Sequence, residues 1–203
     1  MAIPIESLPP PGWDREGIDG LLGLFPPGRL SEIVGPRSSG GSSLLLAFIA
    51  RITTSGGQVA FVDGMDALDP ASAAAAGADL SALLWVKCAG RLRTALSAAD
   101  LLARCPGFPL VVLDLDELGP VPASAQIRLQ RAVEGSDSIL IVRSTRHREG
   151  SGASLVVATR RLAPRWMGLR PLTRLAGLRS EASIARSRSQ LLSPQTWTLD
   201  WTL

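Results

Sequence analysis

The sequence predicts an α/β fold: a mostly parallel sheet flanked by helices on both faces, with antiparallel strands added at a C-terminal edge. Three observations carry this. Short apolar runs bounded by glycine and proline alternate with longer segments whose apolar residues recur at helical spacing, the order that builds a parallel sheet covered on both sides. The run PLVVLDL, Pro109 to Leu115, is apolar almost throughout, as a strand buried on both faces must be. After Pro164 the helical spacing fades, and SIARSRS and TWTLDWTL alternate with a period of two, as antiparallel strands do.

Taken in order, LPPPGWDREGIDGLLGLFPPG is punctuated by proline and glycine and reads as an irregular arm with a short helix over 17–22. RLSEIVG is a first strand, and SSLLLAFIARITTSGG a buried helix that stops at Gly56 and Gly57. QVAFVD is a second strand. PASAAAAGADLSALLWVK gives an alanine-rich helix and a third strand near 83–86, and TALSAADLLARC a helix. After PLVVLDL come the helix SAQIRLQRAVEG and the strands SILIVRS and ASLVVATRRL. The expected organisation is an N-terminal arm over 1–16, a core over 17–164 and a basic C-terminal extension over 165–203 that completes the sheet.

The chain has 203 residues, 46% of them hydrophobic, enough to bury the core of one domain. No apolar run reaches the roughly 18 residues of a membrane span, so no membrane association is expected. The stretch MAIPIESLPPPGWD has neither a basic start nor a long apolar run, so a cytoplasmic location is the expectation. Cys88 and Cys105 are not spaced as metal ligands, and the single histidine, His147, lies in the polar stretch RSTRHREG. The net charge of +3 hides an asymmetry. From Arg143 onward there are eleven arginines against Glu149, Glu181 and Asp200, while residues 1–142 are net acidic. A basic third of this kind fits phosphates or an acidic partner surface, or is simply a solvated arginine-rich face.

The stretch GPRSSGGSS, Gly35 to Ser43, is close to the phosphate-binding pattern G-x-x-x-x-G-K-[ST]. Gly35 and Gly40 occupy the glycine positions, and Ser42 supplies the hydroxyl, followed by Ser43. Gly41 stands where the lysine belongs. The loop follows a predicted strand, opens a predicted helix, and is succeeded by an apolar strand that ends in Asp114, the setting the motif requires. Ser42 and Asp114 are therefore placed to serve a magnesium ion and its water shell; the alternative is a structural turn and a strand-capping aspartate.

GRLSEIVGPRSSGGSSLLLAFIA, then GGQVAFVDGMDALDP, then GADLSALLWVK follow one another as the corresponding blocks do in bacterial RecA recombinases, and EASIARSRSQLLSPQTWTLDW looks like that family's last core strands. The resemblance implies a RecA-like P-loop fold from about Gly17 onward. It also implies which residues are missing. Gly41 replaces the loop lysine, and Met65 stands where the family has its catalytic glutamate. Losing the lysine removes charge-assisted hydrogen bonds worth roughly 1.5–3 kcal/mol, and methionine cannot orient an attacking water. Arg37, Lys87, Asp116 and Glu117 are the residues from which a rescue would have to come. The expectation is a chain without ATPase activity, with a degenerate nucleotide site at Gly35, Gly40, Gly41, Ser42, Ser43 and Asp114. It requires no cofactor and is left with at most weak ATP or ADP binding.

The two mobile loops with which the family grips single-stranded DNA are shortened here, leaving Arg143, Arg146 and Arg148 as expected phosphate contacts. Contacts of that kind give weak, salt-sensitive, non-specific DNA binding. Small RecA-like chains with eroded nucleotide sites resemble the ImuA group of mutasome accessory proteins in the bacterial DNA-damage response. That resemblance implies an adaptor for error-prone translesion synthesis whose partner is an ImuB-like inactive Y-family polymerase homologue, with RecA itself and an error-prone replicative-type polymerase as further contacts. A SulA-like cell-division inhibitor and a divergent RecA-type ATPase are the alternatives. The partner surface is expected in RWMGLRPLTRLAGLR, where Trp166, Arg170, Arg174 and Arg179 supply residue types enriched at interface hot spots. Trp197, Leu199 and Trp201 share one face by the two-residue period and are expected to point inward. Arg186 and Arg188 resemble a basic pair that RecA directs toward a neighbouring subunit's nucleotide.

Overall fold

The structure, a computed structural model, describes residues 15–116, 118–119, 121–146, 151–169, 172–188 and 195–202. Its elements are α1 (Arg15–Leu22), β1 (Arg29–Val34), α2 (Gly41–Thr54), β2 (Val59–Asp63), α3 (Pro70–Ala75), β3 (Leu83–Lys87), α4 (Leu92–Arg104), β4 (Leu110–Asp116), α5 (Ala123–Val133), β5 (Ile139–Ser144), β6 (Leu155–Leu169), β7 (Leu172–Ser187) and β8 (Thr196–Thr202). The strands form one sheet in the order β3-β2-β4-β5-β1-β6-β7-β8. All pairings from β3 through β6 are parallel, and β7 and β8 are antiparallel, as the sequence predicts.

Alternate residues of the central strands feed two cores, which is why those strands are apolar without interruption. Val59, Phe61, Leu110, Val112 and Ile141 face the core under α1 and α2, where Phe25 meets Phe48 edge to face at 5.4 Å. Ala60, Val62, Val111, Leu113 and Val142 face the core under α4 and α5. Eight of the fourteen residues of α2 are buried, so the helix that follows the glycine loop is held by packing along most of its length. The alanine-rich helix α3 is brief: Asp69 caps it through the amides of Ala71 and Ser72, Pro70 opens it, and the chain turns at Gly77 with a φ of 90° before a 3₁₀ turn at Leu80–Ala82 leads into β3.

The C-terminal strands belong to the core. Leu199 and Trp201 are buried under α1 and α2 as expected, Trp197 packs at the margin, and the indole N–H of Trp201 donates to Ser180 Oγ at 2.6 Å. β6 runs through Pro164 without a break, so β6 and β7 make one long hairpin that crosses the expected boundary between 164 and 165. Proline is tolerated there because β1 ends opposite Ala158, which leaves β6 an edge strand on that side from Thr159 onward. At the far side, β8 pairs with β7 between Gly177 and Ser183, clasped by two hydrogen bonds from Arg179 to Asp200 that hold the Asp200 carboxyl below its ordinary range. Trp201→Phe is expected to cost about 1–3 kcal/mol in urea unfolding of the full chain, because Ser180 Oγ is left buried without its donor. A midpoint equal to that of the unsubstituted chain would mean the bond contributes nothing.

Candidate functional site

The ends of β1, β4 and β5 converge with the middle of β6 on the segment Gly35–Gly40. At Gly35 an added Cβ would collide with Thr159 Oγ1 and lie 2.6 Å from Ser39 Oγ. Gly40 has a φ of 95°, open to glycine and strained for other residues, and its Cβ would stand 2.8 Å from Ser180 Cβ. Gly40 is therefore required twice, by its backbone conformation and by the C-terminal strands pressed against it, and Gly35 by the crowding of Thr159 and Ser39. The hydroxyls of Ser39 and Thr159 bond to each other at 2.7 Å in the buried interior of the loop. Ser42 is exposed and Ser43 half-buried at the start of α2, whose leading amides have no side-chain cap at Gly40.

Across from the loop lies a four-membered cluster. One terminal nitrogen of Arg143 donates to both carboxylate oxygens of Asp114, at 2.7 and 2.9 Å, and the other stands 3.7 Å from Asp116 Oδ1. Arg37, from the loop itself, donates to Asp116 Oδ2 at 2.9 Å. The backbone N–H of Asp116 donates to Asp114 Oδ1 at 3.2 Å. To reach this arrangement β4 breaks register against β5 between Asp114 and Asp116, and Asp116 adopts a φ of 42°. A bulge and a strained backbone at a strand end are features that cluster at functional sites. Burial pushes the Asp114 carboxyl above its ordinary range, and the bonds from Arg143 oppose that shift. Among the described residues, two cations and two anions meet in the cluster.

Gly41 differs from the other loop glycines. An added Cβ would meet only ordinary contacts, Thr159 Oγ1 at 3.4 Å and Arg143 Nε at 3.6 Å. The position that the resemblance assigns to a lysine thus looks toward a guanidinium. A magnesium–nucleotide needs a lysine or its equivalent free to reach phosphate, and an aspartate free to hold the metal's water shell. Here Asp114 is doubly bonded by Arg143, and Arg143 is committed to Asp114 and Asp116, so these residues do not fit that group as they stand. The turn bearing Met65, where the resemblance places a glutamate, is firmly held. Asp63 is buried at the end of β2 and accepts from the amides of Ala67 and Leu68 and from the Trp85 indole, which fixes the turn bearing the exposed Met65.

Of the expected phosphate contacts, Arg143 is largely buried. It lies on β5, within the strand read from SILIVRS, and with 12% of its side chain exposed it faces the acidic pair. Arg146 is exposed just beyond β5; His147 and Arg148 lie outside the described residues, as does Glu117. In the expected partner segment, Trp166 is 63% exposed on β6, and Arg174 and Arg179 are exposed on β7, while Arg170 lies outside the described residues. Arg186 donates to the carbonyls of Ser151 and Ala153 and to Ser151 Oγ, tying β7 to the segment that precedes β6. Thr159 and Ser180 were not legible as loop-packing residues, since they are short polar residues in strands far along the chain.

Comparison with known proteins gives the following. Residues 15–133, more than half of the chain, match the family described as the RecA N-terminal domain. The chain is 42% identical over 93 residues to a protein RecA of Borrelia hermsii, covering 46% of this chain and 26% of that protein. It is 39% identical over 118 residues to the protein RecA of Picosynechococcus sp., covering 53% and 34%, and 38% identical over 112 residues to that of Teredinibacter turnerae, covering 54% and 32%. The chain thus spans between about a quarter and a third of the length of these relatives. Among the described residues no helix is long and apolar enough to cross a membrane.

Arg143→Met is expected to destabilise the fold by about 3–5 kcal/mol, because it leaves a buried carboxylate without its partner. Adding Asp114→Asn should recover much of that loss, and denaturant unfolding of the two single variants and the double variant measures the coupling. Strictly additive costs would show that the pair is not a unit.

Proposed function

The chain belongs to the RecA N-terminal domain family, and from that premise we propose that it is a nucleotide-independent adaptor of the ImuA type. In this reading it supports error-prone translesion synthesis in the bacterial DNA-damage response by binding an ImuB-like inactive Y-family polymerase homologue, with RecA and a replicative-type polymerase as further contacts. The observation that carries the reading is the internal neutralisation of the loop site. Arg143 and Arg37 already supply cations to Asp114 and Asp116, so the frame of a phosphate loop is kept while its charges are spent within the protein. Gly41 and Met65 remove the two side chains on which hydrolysis depends. What such a fold retains is surface, and on the β6–β7 hairpin the exposed Trp166 stands among the exposed Arg160, Arg161, Arg165, Arg174 and Arg179.

A second reading, a divergent RecA-type ATPase, is favoured by the names of the similar proteins and by the intact strand–loop–helix frame. Hydrolysis separates the two. The purified chain is expected to release phosphate from ATP at the background rate with magnesium present, and Gly41→Lys is expected not to restore turnover, because the new ammonium would enter beside Arg143 while Met65 remains. Turnover that Asp114→Ala abolishes would favour the ATPase. In cells, Arg170→Glu with Arg174→Glu should lower damage-induced mutagenesis to the level of a gene deletion, while Ser42→Ala leaves it unchanged. The reverse pattern would overturn the adaptor reading.

A further inference from the structure

We infer that the uncovered end of the β6–β7 hairpin docks an acidic polypeptide segment bearing an apolar side chain. This deepens the adaptor reading and rests on it for the partner being a protein. Beyond Ala158 on one side and Gly177 on the other, the hairpin has no neighbouring strand among the described residues. Ala163, Pro164, Arg165, Trp166 and Gly168 on β6 are exposed, as are Thr173, Arg174 and Leu175 on β7. A two-stranded ribbon covered on neither face is only marginally stable in water. Trp166 and Leu175 are cross-strand partners, yet they leave 63% and 45% of their surface in solvent. Set opposite each other across the hairpin and exposed, they leave an apolar site open at its middle.

The charge around that site selects the occupant. Between Arg160 and Ser180 the sequence holds six arginines and no aspartate or glutamate. Arg160 and Arg179, at the root, are engaged by Glu181 and Asp200. Farther out, Arg165 and Arg174 are exposed and make no ion pair among the described residues, and Asp200, on the neighbouring strand, is already bonded twice by Arg179. The ribbon therefore offers an indole and a leucine flanked by exposed guanidinium groups that outnumber the carboxylates beside them among the described residues. A protein segment with carboxylates around one apolar residue satisfies both. A single strand of nucleic acid would neutralise the arginines equally well, but it binds by stacking successive bases on several rings. Trp166 is the one aromatic residue between Arg160 and Ser180, and its cross-strand partner is Leu175.

The test uses the full chain, Arg165→Glu with Arg174→Glu, and Trp166→Ala. All three positions are exposed, and equal thermal midpoints verify that the variants fold. The probes are a random copolymer of glutamate and tyrosine, polyglutamate, and an oligothymidine strand, with binding followed by fluorescence anisotropy at physiological salt. The copolymer is expected to bind roughly tenfold more tightly than polyglutamate. Charge reversal should weaken both acidic polymers at least about tenfold, and Trp166→Ala should erase the copolymer's advantage. Oligothymidine binding as tight as the copolymer's, and lost equally on charge reversal, would make the ribbon a nucleic-acid arm and overturn the inference. So would copolymer binding that none of the variants alters, or no copolymer binding at all. If the polymers behave as expected while the same reversals leave damage-induced mutagenesis intact, the acidic-segment assignment stands and the adaptor reading falls; the opposite combination reverses the two.

Discussion

A guanidinium buried between two carboxylates at the C-terminal ends of β4 and β5 is the constraint around which the loop end of this molecule is arranged. Arg143 is 12% exposed and Asp114 is 11% exposed, so both charges are largely removed from water. Such a pair contributes little net stability, because the attraction mostly offsets the cost of desolvation, and it becomes costly when either partner is removed. The raised carboxyl of Asp114 is the trace of that balance. The bulge in β4, the strained φ of Asp116 and the reach of Arg37 across from the loop all follow from bringing two acids to one arginine.

The second consequence falls on the loop. In a phosphate-binding protein its glycines leave backbone free for a ligand. Here the space beside Gly35 is taken by Thr159 and the space beside Gly40 by Ser180 and the Trp201 indole. The C-terminal strands thus serve as a wall for the loop, and the buried Ser39–Thr159 hydrogen bond fastens the two. Sheet, loop and hairpin root form one packed unit, in which the exposed ribbon is anchored by the same residues that shape the loop. An anchored ribbon is preorganised, and a preorganised surface loses less conformational entropy on binding.

The sheet divides its labour by position. At its centre, β1, β4 and β5 are buried on both faces and carry the electrostatic cluster at their ends. At its edge, β6 and β7 outrun every neighbour and carry apolar and basic side chains into solvent. Proline at position 164 is consistent with that division, because a strand with an open side tolerates the loss of a backbone donor.

The amino-acid sequence by itself determined the order and type of the elements, the two-sided burial of the central strands, the inward face of Leu199 and Trp201, and the loop with glycine in place of lysine. These are local properties, set by periodicity and by residues that turn the chain, and they can be read within a short window. The partners of the charges could not be read that way. Arg143 is grouped by the sequence with the arginines that follow it, and only the pairing of β4 with β5 sets it opposite Asp114, 29 residues earlier in the chain. Ser39 and Thr159 are 120 residues apart and meet only because β6 lies beside β1. The continuation of β6 through Pro164 was hidden for the same reason: whether proline breaks a strand depends on whether a neighbour needs its missing N–H, and neighbours are assigned by the sheet. Periodicity fixes which way a side chain points relative to its own backbone, whereas the group it meets is fixed by strand order, which the tertiary fold alone decides.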